Sequence, residues 1–313
     1  MQAKQRIYCA GGFGINIGTQ VPNFDNICYI DTSDSNRTDA IDPSKVYRIE
    51  GLNGAGQNLR NIYPKILPHI PTILERFEPA EFNIVIFSAS GGSGRGLGPL
   101  IIRELLKAGK SVIALSVGET DTAIYLENTT NTLKSLESIS LNLQRPIALA
   151  YYQNEKGVPL KVIDEEVLFC IEALLELTNQ NNLELDNSDI HNWINYNNVV
   201  SLQPQLSALI ITDDRKQANA VLEPIATLSL YSNRDDYAIV GNPHFSKVGY
   251  PREPLASPFE QLHFVINTIT IEEIMKALKE RSTEQAQRFS NYRNRKSLVN
   301  IQDDTVTGED MIL

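Results

Sequence analysis

Two glycine-rich stretches, each lying between a strand-like apolar run and a helix-like one, hold the residues best suited to chemistry. The first is Gly11-Gly12-Phe13-Gly14-Ile15-Asn16-Ile17-Gly18, the second Ser90-Gly91-Gly92-Ser93-Gly94-Arg95-Gly96. Glycine lets the backbone approach a phosphate without a Cβ in the way, and amides at a helix N-terminus donate to its oxygens. The first stretch alone also fits a loose dinucleotide fingerprint. Asp31 ends the next strand about 20 residues on, where a carboxylate could hold a ribose. On that alternative the chain is an NAD(P)-dependent Rossmann-fold oxidoreductase. The second stretch argues against it, since a dinucleotide needs no second cradle and a triphosphate needs more donors than one loop supplies. Nor is the second stretch a P-loop, because no Lys-Ser or Lys-Thr follows Gly96.

The elements that must position these loops alternate strand and helix. Residues 6–10 read as a buried strand, 27–30 as a second ending at Asp31, and 82–89 as a fully apolar central one. A helix from about residue 58 carries Ile62, Ile66, Ile70 and Ile73 but must kink or end at Pro64, Pro68 or Pro71. The second glycine stretch leads into a helix with Pro99 in its first turn and Ile101, Ile102, Leu105 and Leu106 facing inward. Runs at 111–117 and 146–152 are further strands, separated by a helix at 126–143. This order implies a doubly wound α/β sheet with ligand loops at the strand C-termini. A long amphipathic helix follows at 164–179, then a polar turn at 179–187 and a short helix at 189–196. Beyond it the pattern predicts a strand at 207–212, a helix at 218–228, strands at 238–241 and 261–270, and a helix from 271 to about 288.

With 313 residues the chain has room for two adjoining domains. Its 42% hydrophobic and 21% charged residues are ordinary for a globular protein, and no apolar run approaches the ~20 residues of a membrane span. Glycines interrupt the N-terminus before any signal-peptide core forms. Cys9, Cys28 and Cys170 lack CxxC spacing and read as buried reduced residues, which leads to an expected cytoplasmic location. The histidines offer no metal-site spacing, so no protein-built metal site is expected. A net charge of -10 argues against general nucleic-acid binding, which needs a basic surface, but not against one nucleotide held by backbone amides.

Taken in order, these segments resemble the tubulin/FtsZ family of GTPases over nearly the whole chain. That family's phosphate signature runs Gly or Ala, two glycines, Thr or Ser, Gly, a small residue and Gly. Here Ser90, Ser93 and Arg95 replace the usual first, fourth and sixth residues without removing a backbone donor. Gly11, Gly12, Phe13 and Gly14 with Asn16 match the first nucleotide loop, and Gly54-Ala55-Gly56-Gln57-Asn58 looks like the loop whose amides meet the γ-phosphate. Glu127 and Asn131 fall where the family places ribose and base contacts. Tyr152-Gln153-Asn154 matches the loop whose asparagine reads guanine, and Asp164 the second base-reading position, where a carboxylate can accept from N1–H and the 2-amino group. Alone, Asp164 is equally a helix N-cap or first-turn acid. The family's catalytic pattern is Asn-x-Asp-x-x-Asp or Asn-x-Asp-x-x-Glu, and Glu184-Leu185-Asp186-Asn187-Ser188-Asp189 keeps its second half with Glu184 for the asparagine. Acids at i and i+3 face the same way and can orient a water for attack on a γ-phosphate. Alone, the same spacing is a helix cap with a charged first turn.

The resemblance implies a Rossmann-type GTP-binding domain (1–160), a long central helix (161–182), a smaller α+β C-terminal domain with the catalytic loop (183–270), and a C-terminal helix with an acidic tail (271–313). It implies GTP and GDP as ligands, with Mg2+ held mainly through the phosphates and water. It also implies a head-to-tail homopolymer in which Asp186 and Asp189 act on a neighbour's GTP. Within the family the chain is most similar to the phage tubulins of large bacteriophages. The residues that carry this are Asn179-Gln180-Asn181, Asn192-Trp193, Gln261-Leu262-His263-Phe264-Val265-Ile266-Asn267, and a short tail with Asp303, Asp304, Glu309 and Asp310 ending in Met311-Ile312-Leu313. In those proteins the tail lies along a neighbouring subunit, and the filaments position phage DNA in the host bacterial cytoplasm. Neither a membrane nor direct nucleic-acid binding is expected. Composition alone would make the tail a solvating end.

Overall fold

The computed structural model describes residues 4–22, 24–33, 36, 40–52, 59–179, 182–252, 255 and 259–293. Gly54, Ala55, Gly56, Gln57 and Asn58, Gln180 and Asn181, and the acidic tail lie outside the described residues.

Among the described residues, eleven strands form one sheet: β1 (Gln5–Ala10), β2 (Ile27–Asp31), β3 (Val46–Arg48), β4 (Phe82–Ser88), β5 (Ser111–Glu119), β6 (Ile147–Asn154), β7 (Asn182–Leu183), β8 (Leu206–Thr212), β9 (Ala226–Tyr231), β10 (Phe245–Pro251) and β11 (Gln261–Asn267). Their spatial order is β3-β2-β1-β4-β5-β6-β8-β11-β9-β10-β7. Pairing is parallel from β3 through β8, whereas β11 runs antiparallel to both β8 and β9. The helices are α1 (Gly11–Gly18), α2 (Leu59–Ile66), α3 (Ile70–Arg76), α4 (Ser93–Lys107), α5 (Ala123–Leu143), α6 (Leu160–Thr178), α7 (Asn187–Ile194), α8 (Arg215–Ala220) and α9 (Ile269–Arg293).

Alternation along each strand fills two cores. Ile7, Cys9, Ile84 and Ile86 face one layer, with Ile15 and Ile17 of α1, Val167, Ile171 and Leu174 of α6, and Trp193 of α7. Tyr8, Ala10, Val85 and Phe87 face the other, with the inner residues of α2 to α5 and Ile271 and Leu278 of α9. Parallel strands covered on both faces must be apolar at nearly every position, which is why the central runs were legible. Cys9, Cys28 and Cys170 are buried free thiols, and no described helix is long and apolar enough to cross a membrane.

Several expectations need correction. The predicted helix at 218–228 is instead α8 followed by β9, because Pro224 cannot continue a helix and 226–231 is buried on both faces between β10 and β11. Residues 238–241 are not a strand; Val240 anchors a loop against Ala218 and Val265. β10 was not foreseen. Pro99 is the seventh residue of α4, not in its first turn. The long helix starts at Leu160, four residues before Asp164, which rules out the cap or first-turn reading of that acid. The prolines act as expected: α2 contains Pro64, a short 3-10 turn holds Pro68, and α3 restarts with Pro71 in its first turn.

Candidate functional site

The two glycine stretches are the first turns of helices that leave adjacent parallel strands. β1 runs directly into α1, and β4 reaches α4 through residues 89–92. The expected loops are thus shorter than the glycine runs, since residues 93–96 are already helical. The two helix starts touch. Gly11 has φ +72°, and a Cβ there would lie 2.6 Å from the amide nitrogen of Gly94. A Cβ on Gly94 would lie 2.9 Å from the Ser88 nitrogen, and one on Gly14 would lie 2.5 Å from the Ile86 carbonyl. Gly12 packs on the Asn36 side chain. Phe13 is half-buried against the α6-side core. Two helix N-termini in contact concentrate unpaired amides and partial positive charge at one spot on the C-terminal edge of the sheet, which suits a polyphosphate.

Polar residues, most of them not singled out in the sequence, brace this spot. Asn128 of α5 donates to the Ser90 carbonyl at 3.0 Å, and Thr132 one turn later donates to the Ala89 carbonyl at 2.9 Å. Thr32 and Ser93 share a hydroxyl hydrogen bond of 2.5 Å, and Ser88 Oγ accepts from the Gly91 amide at 3.0 Å. Asp31 is buried, accepts from the Thr32 amide at 2.7 Å and from the Asn36 side chain, and so braces its own loop. The sequence carried only a weak signal for Asn128 and Thr132, two polar residues at i and i+4 beside the inward stripe of Leu126, Leu133 and Leu136.

Beside the glycine turns, α1 and α6 are joined through one pair of side chains, and β6 ends in a second. Asn16 of α1 donates to Asp164 Oδ2 of α6 at 3.3 Å. Burial pushes the Asp164 carboxyl up, and the Asn16 amide opposes this. Asn154, at the end of β6, donates to Glu119 at 3.4 Å, while its buried Oδ1 has no partner among the described residues. An amide acceptor left without a partner and a carboxylate oxygen are both groups that accept from N–H donors such as those along one edge of a guanine. Glu127 and Asn131 are exposed on α5. Asn131 lines a cleft of about 590 Å³ between α4 and α5 with Arg95 and Gly96. Burial lowers the Arg95 pKa, and the charge of Glu127 acts against that. Among the described residues, no group of three or more His, Cys, Asp or Glu side chains could hold a metal ion.

Asp186 and Asp189 lie at the other end of the sheet. Asp186 is the N-cap of α7, accepting from the Asp189 amide at 3.0 Å, while Asp189 Oδ2 accepts from the Asp186 amide at 3.3 Å. The neighbouring Asn187 donates to Glu81, just before β4, at 3.1 Å. His191 shares a 3.0 Å hydrogen bond with Ser111, the first residue of β5. The acids therefore sit by the N-terminal ends of strands whose C-terminal ends carry the glycine turns. Seven residues of β4 separate the two by roughly 20 Å. α6 links the same two ends: Asp164 is near its start, and its nineteen residues cover roughly 28 Å toward the acidic loop. Glu184 takes φ +64° and pairs with Arg234 at 3.2 Å.

Comparison with known proteins places the whole chain. Residues 185–271 match a family model described as phage tubulin-like protein, C-terminal domain. A phage tubulin-like protein of Pseudomonas phage PhiPA3 is 37% identical over 306 residues, covering 96% of each chain. The solved protofilament of TubZ from bacteriophage PhiKZ is similar with a TM-score of 0.90 and 32% identity over all of both chains. The structure of the phage tubulin PhuZ with GDP is similar with a TM-score of 0.89 and 32% identity, covering 99% of this chain and all of that one.

Proposed function

This chain belongs to the phage tubulin-like proteins, and from that premise we propose that it is a GTP-dependent filament subunit that hydrolyses its nucleotide where one copy meets the next. The observation that carries the proposal is the separation of roughly 20 Å between the paired glycine turns and the two aspartates, too far for a subunit to serve its own γ-phosphate. Stacking copies head to tail removes the gap by bringing one subunit's α7 start against the next subunit's glycine turns.

On this reading the amides of Gly11, Gly12, Phe13, Gly14, Gly91, Gly92, Ser93, Gly94, Arg95 and Gly96 cradle the phosphates, and those of Gly54, Ala55, Gly56 and Asn58 meet the γ-phosphate. Asn154 and Asp164 read guanine, with Asn16 of the first nucleotide loop donating to Asp164, while Glu127 and Asn131 serve the ribose and base. Mg2+ is held mainly through phosphate oxygens and water and supplies charge neutralisation there. Asp186 and Asp189 orient and polarise the attacking water. Loss of the γ-phosphate then weakens a contact in which the nucleotide is itself buried, which makes the filament a switch. Residues 1–160 carry the nucleotide, 161–182 connect, 183–270 reach the neighbour, and 271–313 provide the C-terminal helix and a tail that lies along a neighbouring subunit. The host bacterial cytoplasm, with phage DNA as the cargo positioned, is the setting that fits.

High-speed sedimentation with GTP, with GDP and without nucleotide tests the proposal. Polymer should pellet with GTP and much less with GDP. Equal pelleting in all three conditions, or none in any, would refute it. Deleting 303–313 should raise the critical concentration of a still-folded protein. Unchanged assembly would return the tail to solvent.

A further inference from the structure

Asp189 does not meet the far end of the sheet alone. Lys247 Nζ lies 3.1 Å from Asp189 Oδ1, so both carboxylate oxygens are engaged within the chain, one by this ammonium and one by the Asp186 amide. The Asp189 side chain is 17% exposed and that of Lys247 45%, which makes the cation the more outward of the two. Lys247 is set there by β10, whose register puts it opposite Leu228 of β9, and it is the one exposed residue of that strand. The other acids nearby are otherwise occupied: Glu184 pairs with Arg234, and Asp186 caps α7.

A contact that brings Asp186 and Asp189 up to a triphosphate sets like charge against like charge at close range. It needs a cation within it, and it needs Asp189 held in one rotamer, because water orientation degrades with small displacements. Lys247 meets both needs, as a compact, strongly charged donor that serves carboxylate and phosphate alike. We propose that Lys247 is a positioning residue of the hydrolytic contact, delivered in trans together with Asp189. It fixes the carboxylate toward the neighbouring subunit and offsets its repulsion from the incoming phosphates. The inference rests on the reading of Asp189 as the trans-acting acid.

The test measures GTP affinity, pelleting and turnover per polymerised subunit for Lys247→Met, Lys247→Arg, Asp189→Asn and the Lys247→Met/Asp189→Asn double variant. Lys247→Met should bind GTP as the unmodified protein does, because its nucleotide site is at the opposite end. It should pellet, and turn over about 10- to 100-fold more slowly. Arginine should restore most of the rate, and the double variant should be no slower than Asp189→Asn alone. A partly exposed ion pair adds little to fold stability, so melting should be nearly unchanged. Lys247→Met filaments that hydrolyse at the normal rate would overturn the proposal. So would a further loss in the double variant, or a folded Lys247→Met protein that no longer pellets, which would make the lysine an assembly anchor. Normal turnover by Asp189→Asn would instead remove the underlying reading, and this inference with it. Slow Asp189→Asn beside normal Lys247→Met would remove the inference alone.

Discussion

Replacing Gly11 by alanine probes the junction of the two glycine turns. Two effects separate cleanly. Any L-residue at φ +72° costs about 1 kcal/mol, whatever surrounds it. The new Cβ would also start 2.6 Å from the Gly94 nitrogen, and ordinary contact begins at 3.4 Å, so α1 and α4 must separate by about 0.8 Å. A donor moved that far passes from about 2.9 Å to beyond hydrogen-bonding range. Losing two charge-assisted bonds to phosphate, at about 1.5–3 kcal/mol each, weakens GTP binding by at least ~100-fold. Gly109 is the internal control, with φ +74° and nothing within 4 Å of a built Cβ. Gly109→Ala should lose the same ~1 kcal/mol in a urea titration and bind GTP normally. Titration of fluorescent GTP into both variants decides the matter. Gly11→Ala binding within threefold of Gly109→Ala would show that the touching turns are not the phosphate site.

Two further outcomes follow from titrating groups whose pKa values are shifted by burial. On the proposed reading Asp164 accepts from guanine as a carboxylate, and burial raises its pKa in the free protein, so GTP affinity should be level at pH well above that raised value. It should weaken as pH falls toward and through that raised value, by up to about tenfold per unit. Asp164→Asn should abolish both the slope and a preference for GTP over ATP of ~30- to 1,000-fold, and an affinity independent of pH and of base would detach the residue from the ligand. His263, buried between Ser229 and Gln261, has its pKa pushed down to about 4, first by burial and then by Arg215. A depressed histidine favours the fold while neutral. Its contribution is complete above about pH 6.5 and falls away as pH drops toward 4, by ~3 kcal/mol in total. Urea midpoints should follow that curve, and His263→Gln should flatten it; equal slopes in both proteins would assign acid sensitivity elsewhere.

The parts of the structure that were readable share a cause, and so do the misses. β1, β4, β5 and β6 are covered on both faces, so their apolar runs had no competing explanation, and each glycine turn was marked by the strand before it. The second half was harder because short apolar runs carry no decisive period. Residues 226–231 fit either element, and only Pro224 hinted at the break. β10, with Lys247, Gly249 and Pro251 inside it, has little intrinsic strand preference and exists because β9 pairs along it. Missing that strand hid the Lys247–Asp189 pair. The bonds from Asn128, Thr132 and Thr32 to the second glycine turn join residues 38 to 61 positions apart, and spacing along a chain cannot reveal contacts made by its fold.

The central claim is that the acid and the nucleotide come from different copies. Asp189→Ala should keep GTP affinity, form filaments that persist, and lose turnover by about 10²-fold. Gly94→Val, whose side chain cannot fit 2.9 Å from the Ser88 nitrogen, should lose GTP but still offer Asp189 to a neighbour. Neither variant alone should hydrolyse appreciably. Mixed in equal amounts they should regain turnover, because a GTP held by an Asp189→Ala subunit then meets an intact Asp189 from its Gly94→Val neighbour. Hydrolysis at the unmodified rate by Asp189→Ala filaments alone, or a mixture no faster than its two components, would contradict the account.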